Sequence, residues 1–234
     1  MAAPTAKSAI IKAPEFIIAS VIIQGTAPLV IERFSKKAEI MAKMAEGNSA
    51  KNKKERKARD YEEECHQSKY FSQEKWEGFN AAALRAGMIS ACRLVGFKMT
   101  IAKLSAFVEA DGWDNDGIPL VRIYGNAETF TAHTRNATGV IDVRSRPMYK
   151  QWAAKLTVRF DSDQFKIEDM LALLSRVGGQ VGIGAGRPDS KDSAGCGWGL
   201  FQVVSGDNED KVRSAFGIEE LLSIHGVARQ GRAW

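Results

Sequence analysis

The spacing of apolar and polar positions divides the chain into strands and helices. Glu15 to Gly25, EFIIASVIIQG, is a strand-length apolar run rich in Ile and Val and closed by glycine, which predicts a central strand buried on both faces. Thr26 to Phe34 contains Pro28, which disfavours helix before it. Ser35 to Glu46 then carries a capping serine and places Ile40, Met41 and Met44 at helical spacing. Tyr70 and Phe71 form a short strand-like piece, and Trp76 to Gly96 reads as a well-packed helix stopped by Gly96. Met99 to Val108 reads loosely as strand and turn. Residues 118–124, 127–133 and 140–144 read as strands of a β-meander, separated by turn residues. Ala153 to Asp161 alternates strictly, with Leu156, Val158 and Phe160 on one face. A helix over Ile167 to Val177, a strand over Gly199 to Val204 and a short helix over Gly217 to Ser223 complete the pattern.

Stripped of its insertions this order is βαββαβ, an α+β plan of the ferredoxin-like or RRM-like kind, in which two helices pack on one face of an antiparallel sheet. The length of 234 residues suits a single domain over residues 1–234. The proline-containing residues 1–14 form an N-terminal arm, and an inserted basic thumb or finger occupies about 26–70.

Composition narrows the chemistry. Hydrophobic residues make up 44% and charged residues 26%, ordinary for a globular protein. No apolar run reaches the roughly 18 residues that span a bilayer, and the first residues lack a secretion signal, so the expectation is a cytoplasmic protein with no membrane partner. Cys65, Cys92 and Cys196 are odd in number and widely separated, which suits a reducing compartment. Cys65-His66 is an isolated pair, and His133 and His225 have no partner at ligand spacing, so no metal is expected. Asp111 to Gly117, DGWDNDG, lacks the alternate-position ligands and closing glutamate of an EF-hand. No cofactor motif occurs.

The net charge of +5 and pI near 9.1 lean towards polyanions, and the charge is clustered. Gly47 to Arg59 holds Lys51, Lys53, Lys54, Arg56, Lys57 and Arg59 against a single Glu55. Such a run is either a solvated surface loop or a finger that closes over a phosphate backbone. Arg33, Lys36 and Lys37 add cations before it. Arg144, Arg146 and Tyr149 lie in a stretch, RSRPMYKQW, that mixes arginines with rings; it suits single strands, or it is a strand end whose rings belong to the core.

The densest punctuation is Gly178 to Val204, GGQVGIGAGRPDSKDSAGCGWGLFQVV, which includes Gly182, Gly184, Gly186 and Gly197. It follows a helix and precedes a strand, the reverse of a mononucleotide phosphate loop, and G-x-x-x-x-G-K-[ST] is missing. A contact surface for a polymer or a neighbouring subunit is therefore expected, with Arg187 on phosphate and Trp198 as a stacking ring.

The loop form GxxGIGxxRP…GWGxF resembles that of the RAMP (repeat-associated mysterious protein) superfamily, the RRM-like backbone subunits of CRISPR effector complexes. The stretches TAPLVIERFS and RSRPMYKQW also resemble a group of bacteriophage proteins. The resemblance implies a non-catalytic protein that polymerises along RNA or single-stranded DNA. Two other readings remain at this point: an assembly protein without nucleic acid, and a metal-independent endoribonuclease using His133.

Overall fold

The computed structural model describes residues 12–33, 60–135, 141–190 and 195–218. In chain order the strands are β1 (Phe16–Gly25), β2 (Leu29–Val30), β3 (Tyr70–Phe71), β4 (Glu77–Asn80), β5 (Ala106–Glu109) and β6 (Gly112–Trp113). They continue with β7 (Pro119–Arg122), β8 (Ala127–Arg135), β9 (Ile141–Tyr149), β10 (Ala153–Asp161) and β11 (Phe201–Val204). The helices are α1 (Tyr61–Gln67), α2 (Ala81–Ala91), α3 (Met99–Ser105), α4 (Ile167–Arg176) and α5 (Asp207–Phe216). The α+β class expected from the pattern is present: the strands form three sheets whose pairings are antiparallel, with the orders β11-β1-β10-β5, β2-β9-β8 and β3-β4-β7-β6.

The four-stranded sheet owes its register to β10. Ala154, Leu156, Val158 and Phe160 are all buried on one face and lie opposite Ile23, Val21, Ala19 and Ile17 of β1. This face shares its core with Leu84, Met88 and Ala91 of α2 and Met170, Leu173 and Leu174 of α4. At about 25 cal/mol per Å² of apolar surface, each of the larger of these side chains contributes roughly 1.5–3 kcal/mol. On the opposite face, Ile22, Ala153 and Val204 are covered by Val212 of α5 and by Ile218.

β1 is central, but it is not buried on both faces along its length. Ile22 and Ile23 have no exposure, whereas Phe16, Ile17 and Ile18 are 38%, 43% and 59% exposed; Phe16 and Ile18 lie on the face of Ile22, where α5 covers only the far end of the strand. Met99–Ser105 is helix rather than strand and turn. The helix expected from Trp76 begins only at Ala81: Glu77–Asn80 is β4, and the Asn80 side chain caps α2 by accepting from the Ala82 N–H at 2.8 Å. Gly217, with φ of 64°, ends α5, and the helix expected over Gly217 to Ser223 lies beyond Ile218, outside the described residues.

The long connections between β1 and α2 and between β5 and β10 build the two other sheets, and Leu29, Tyr70, Leu120 and Trp152 join them to the main core. Trp152 is fully buried, donating from Nε1 to the Ala27 carbonyl at 2.9 Å. The expected helix over Ser35 to Glu46 and the basic run to Arg59 lie outside the described residues.

Candidate nucleic-acid interface

The glycine-rich stretch starts where α4 passes through a π-turn, Val177–Val181, and stops at Gly182 with φ of 71°. Beyond it the backbone is hydrogen-bonded to itself, to β2 and to Pro28 just before β2. Ala185 N–H donates to the Val30 carbonyl at 2.8 Å, Gly199 N–H to Pro28 at 2.7 Å and Ile183 N–H to Gly199 at 3.0 Å. Glycine is required for that approach: at Gly184, with φ of 75°, a Cβ would lie 2.5 Å from the Val30 carbonyl oxygen. Gly186 sits under the Trp198 ring, which meets Phe130 edge-on at 5.4 Å between centroids. Gly197 has open space around its α-carbon. Much of the loop is thus packed on its own chain, and what it offers outward is one wall of a cleft.

The other wall is α2. Ala83, Ala86, Gly87 and Ser90 recur at intervals of three and four, so this helix face carries no bulky side chain. Between the walls lies a half-open cleft of about 730 Å³, with Ile31, Tyr70, Phe79 and Ile183 among its apolar lining. Charge sits on its rim. Arg187 donates from Nη1 to the Gly184 carbonyl at 3.0 Å, and Arg93 grips both oxygens of Asp189 at 2.9 and 3.1 Å. The Ser90 hydroxyl also donates to Asp189, and this bond, followed by Arg93, holds its carboxyl below the usual range. Glu32 receives Arg144 at 3.2 Å and Arg146 at 2.8 Å, and the buried Arg146 Nε has no acceptor among the described residues. At the cleft, then, Arg93 is paired with Asp189 and Arg187 is held on a backbone carbonyl, while Arg144 and Arg146 converge on the lining residue Glu32.

The structure separates the residues singled out by the sequence. Arg187 lines the cleft, and Arg144 and Arg146 reach it through their pairing with the lining residue Glu32. Arg33 does not serve phosphate: its side chain is 9% exposed and pairs with Asp116 and with the fully buried Asp114, at 2.8 Å, beside the Tyr70 ring. Tyr149 is 1% exposed and donates to Glu77 at 2.5 Å, so its ring has no open face on which a base could stack. Burial, followed by the Glu77 hydrogen bond, pushes its hydroxyl well above the ordinary tyrosine range. Trp198 is half-buried between Gly186 and Phe130. Lys36, Lys37, Lys51, Lys53, Lys54, Arg56, Lys57 and Arg59 lie outside the described residues. His133 is placed in β8 opposite Val143 by its backbone alone.

Arg93 was missed by sequence reasoning; its signal was its place three residues after Ser90 on the small-residue face. The aspartates of residues 111–117 are already committed. Asp114 accepts from the N–H groups of Asp116 at 2.9 Å and Ile118 at 2.8 Å, and Asp111 accepts from Arg122 N–H at 2.9 Å. Among the described residues no group of three or more His, Cys, Asp or Glu could hold a metal ion, and no helix is long and apolar enough to cross a membrane. The three cysteines are free thiols, with only Cys196 exposed. Compared with known proteins, the chain matches no family model and no curated protein in sequence.

Proposed function

We propose that the chain is a non-catalytic binder of single-stranded nucleic acid, RNA or DNA, that associates with further copies of itself along the strand. The observation that carries this reading is the set of arginines at the cleft: Arg93 and Arg187 line it, and Arg144 and Arg146 pair with Glu32, which lines it too. Guanidinium forks suit phosphate oxygens, and an apolar lining suits the faces of unpaired bases. A cleft of about 730 Å³ accommodates a nucleotide or two rather than a duplex. The basic run from Lys51 to Arg59 adds counter-charge, and binding releases the condensed ions of the strand.

The reading extends to fold and setting. β1, α2, β5, β10, α4 and β11 run strand, helix, strand, strand, helix, strand, and their order β11-β1-β10-β5 supports a ferredoxin-like plan. Together with the glycine loop, this supports kinship with the RAMP superfamily and self-association along the strand. The free thiols suit the cytoplasm, with phage origin implied by the two phage-like stretches.

The test is fluorescence anisotropy with labelled RNA and DNA oligonucleotides on protein purified after nuclease and high-salt washing. Arg93→Ala with Arg187→Ala should weaken binding at least about tenfold, or ~1.4 kcal/mol. Their exposed or single contacts contribute little to stability, so melting should hardly move. Wild-type protein that binds neither oligonucleotide, or a double variant that binds as wild type, defeats the reading.

A further inference from the structure

Asp189 joins the two walls of the cleft. It follows Arg187 and Pro188 in the glycine-rich stretch, and its backbone N–H donates to the Val181 carbonyl at 3.2 Å. Its carboxylate reaches the end of α2, where the Ser90 hydroxyl donates to Oδ2 and Arg93 Nη2 donates to Oδ1 at 2.9 Å and to Oδ2 at 3.1 Å. Arg93 also donates from Nε to the Ser90 carbonyl at 3.2 Å and from Nη2 to the Ser90 hydroxyl, so hydroxyl and guanidinium are set side by side. Arg187 adds its charge from the loop side: the Ser90 bond, then Arg93 and Arg187, hold the Asp189 carboxyl below its usual range. Arg187 itself is held on the Gly184 carbonyl and makes no ion pair among the described residues. All four residues line the cleft. The Arg93–Asp189 pair is open to solvent, at 56% and 38% side-chain exposure, and such pairs add little to stability.

We propose that Ser90, Arg93 and Arg187 form the seat of one phosphate group, and that the Asp189 carboxylate fills this seat until the phosphate displaces it. The two anions match in chemistry. A carboxylate and a phosphodiester each share one negative charge between two equivalent oxygens, and a guanidinium fork takes either. The Asp189 N–H keeps its own bond to Val181, so a turn of the side chain towards solvent vacates the seat without moving the backbone. Two donor groups from the end of α2 and one from the loop then take the phosphate, which bridges the walls as Asp189 does in the free chain. Gly87 and Ala86, three and four residues before Ser90, put no bulk beside the seat, which leaves room along α2 for the attached sugar and base. The seat rests on the reading of the cleft arginines as phosphate ligands and adds to it an internal competitor: the free chain binds more weakly than its arginines allow, because Arg93 is already engaged.

The test removes the competitor. Asp189→Asn loses the charge but keeps an oxygen that accepts from Ser90, and its melting temperature checks that the fold is kept. Affinity is measured by anisotropy for labelled RNA and DNA oligonucleotides and by calorimetry for inorganic pyrophosphate, in wild type, Asp189→Asn, Arg93→Ala and the double variant. Asp189→Asn should bind both kinds of ligand about two- to fivefold more tightly, the worth of an exposed pair. In the Arg93→Ala background that gain should shrink below about 1.5-fold, because the donor it frees is missing. A gain that persists or grows without Arg93 makes Asp189 only a repelling charge and overturns the proposal, as does an Asp189→Asn chain that binds pyrophosphate no more tightly than wild type. A gain on pyrophosphate with no oligonucleotide bound upholds the seat and defeats the nucleic-acid reading. Oligonucleotides that bind wild type and Asp189→Asn alike leave that reading standing and defeat the seat.

Discussion

Replacing Arg33 by methionine separates the arginine that holds the fold from those at the cleft. Arg33 and Asp114 are 9% and 0% exposed at the side chain, so Arg33→Met leaves a carboxylate in the interior without its cation. Losing one partner of a buried pair costs about 3–5 kcal/mol. Asp114 keeps the two N–H donors of Asp116 and Ile118, which places the expected cost near the lower bound, about 3 kcal/mol. For a chain of this size each kcal/mol shifts the melting temperature by about 2–4 °C, so a fall of about 6–12 °C is expected. Circular dichroism measures the melting shift on heating and the loss of free energy in urea. Adding Asp114→Asn removes the stranded charge while its side-chain oxygen still accepts both N–H bonds, so the double variant should be more stable than Arg33→Met alone. At 20 °C, where Arg33→Met is still folded, oligonucleotide affinity should stay within about twofold of wild type. A loss of stability below about 1 kcal/mol, or a double variant no better than the single, refutes the pairing argument.

Other perturbations follow from the same geometry. Gly184→Ala forces a Cβ to 2.5 Å from the Val30 carbonyl at φ of 75° and should cost more than 2 kcal/mol by denaturation, roughly twice the penalty at Gly197→Ala, where only the left-handed backbone is unfavourable at about 1 kcal/mol. Equal costs at the two sites would show that the loop does not lie against β2. Tyr149→Phe should cost about 1 kcal/mol, because Glu77 retains Lys69 at 2.6 Å. Since the folded protein holds the Tyr149 proton more tightly than the unfolded chain does, that stability is complete below pH 10 and is lost as pH rises further. Denaturation curves should therefore show wild type losing stability above pH 10 more steeply than Tyr149→Phe; parallel losses would contradict the burial of the hydroxyl.

The regular elements were legible where one period dominates. The alternation from Ala153 to Asp161 matches β10 residue for residue, and the helix from Ile167 differs from α4 only at its last position. α5 was hidden because DNEDKVRSAF offers Val212 and Phe216 as its main apolar positions, enough to cover Ile22 and Val204 but too little to form a visible stripe. α3 was hidden by brevity, since seven residues do not fix a helical period against a strand. At the candidate site the sequence marked the glycine loop and Arg144, Arg146 and Arg187, but it could not separate them from Arg33. The difference lies in Asp114, 81 residues away in the chain, just as the burial of Tyr149 is set by Glu77, 72 residues away. Arg93 escaped because a cleft wall of small side chains reads like any packed helix face.

Salt titration of oligonucleotide binding addresses the proposed activity most directly. Affinity of the intact chain for a single-stranded oligonucleotide is measured between about 50 and 200 mM salt. Engagement of Arg93, Arg144, Arg146 and Arg187 alone, with a slope near −0.7 per phosphate neutralised, gives a log–log slope of about −3, and engagement of the basic run steepens it. A flat dependence, or no binding to RNA or single-stranded DNA at the low-salt end, would contradict the account.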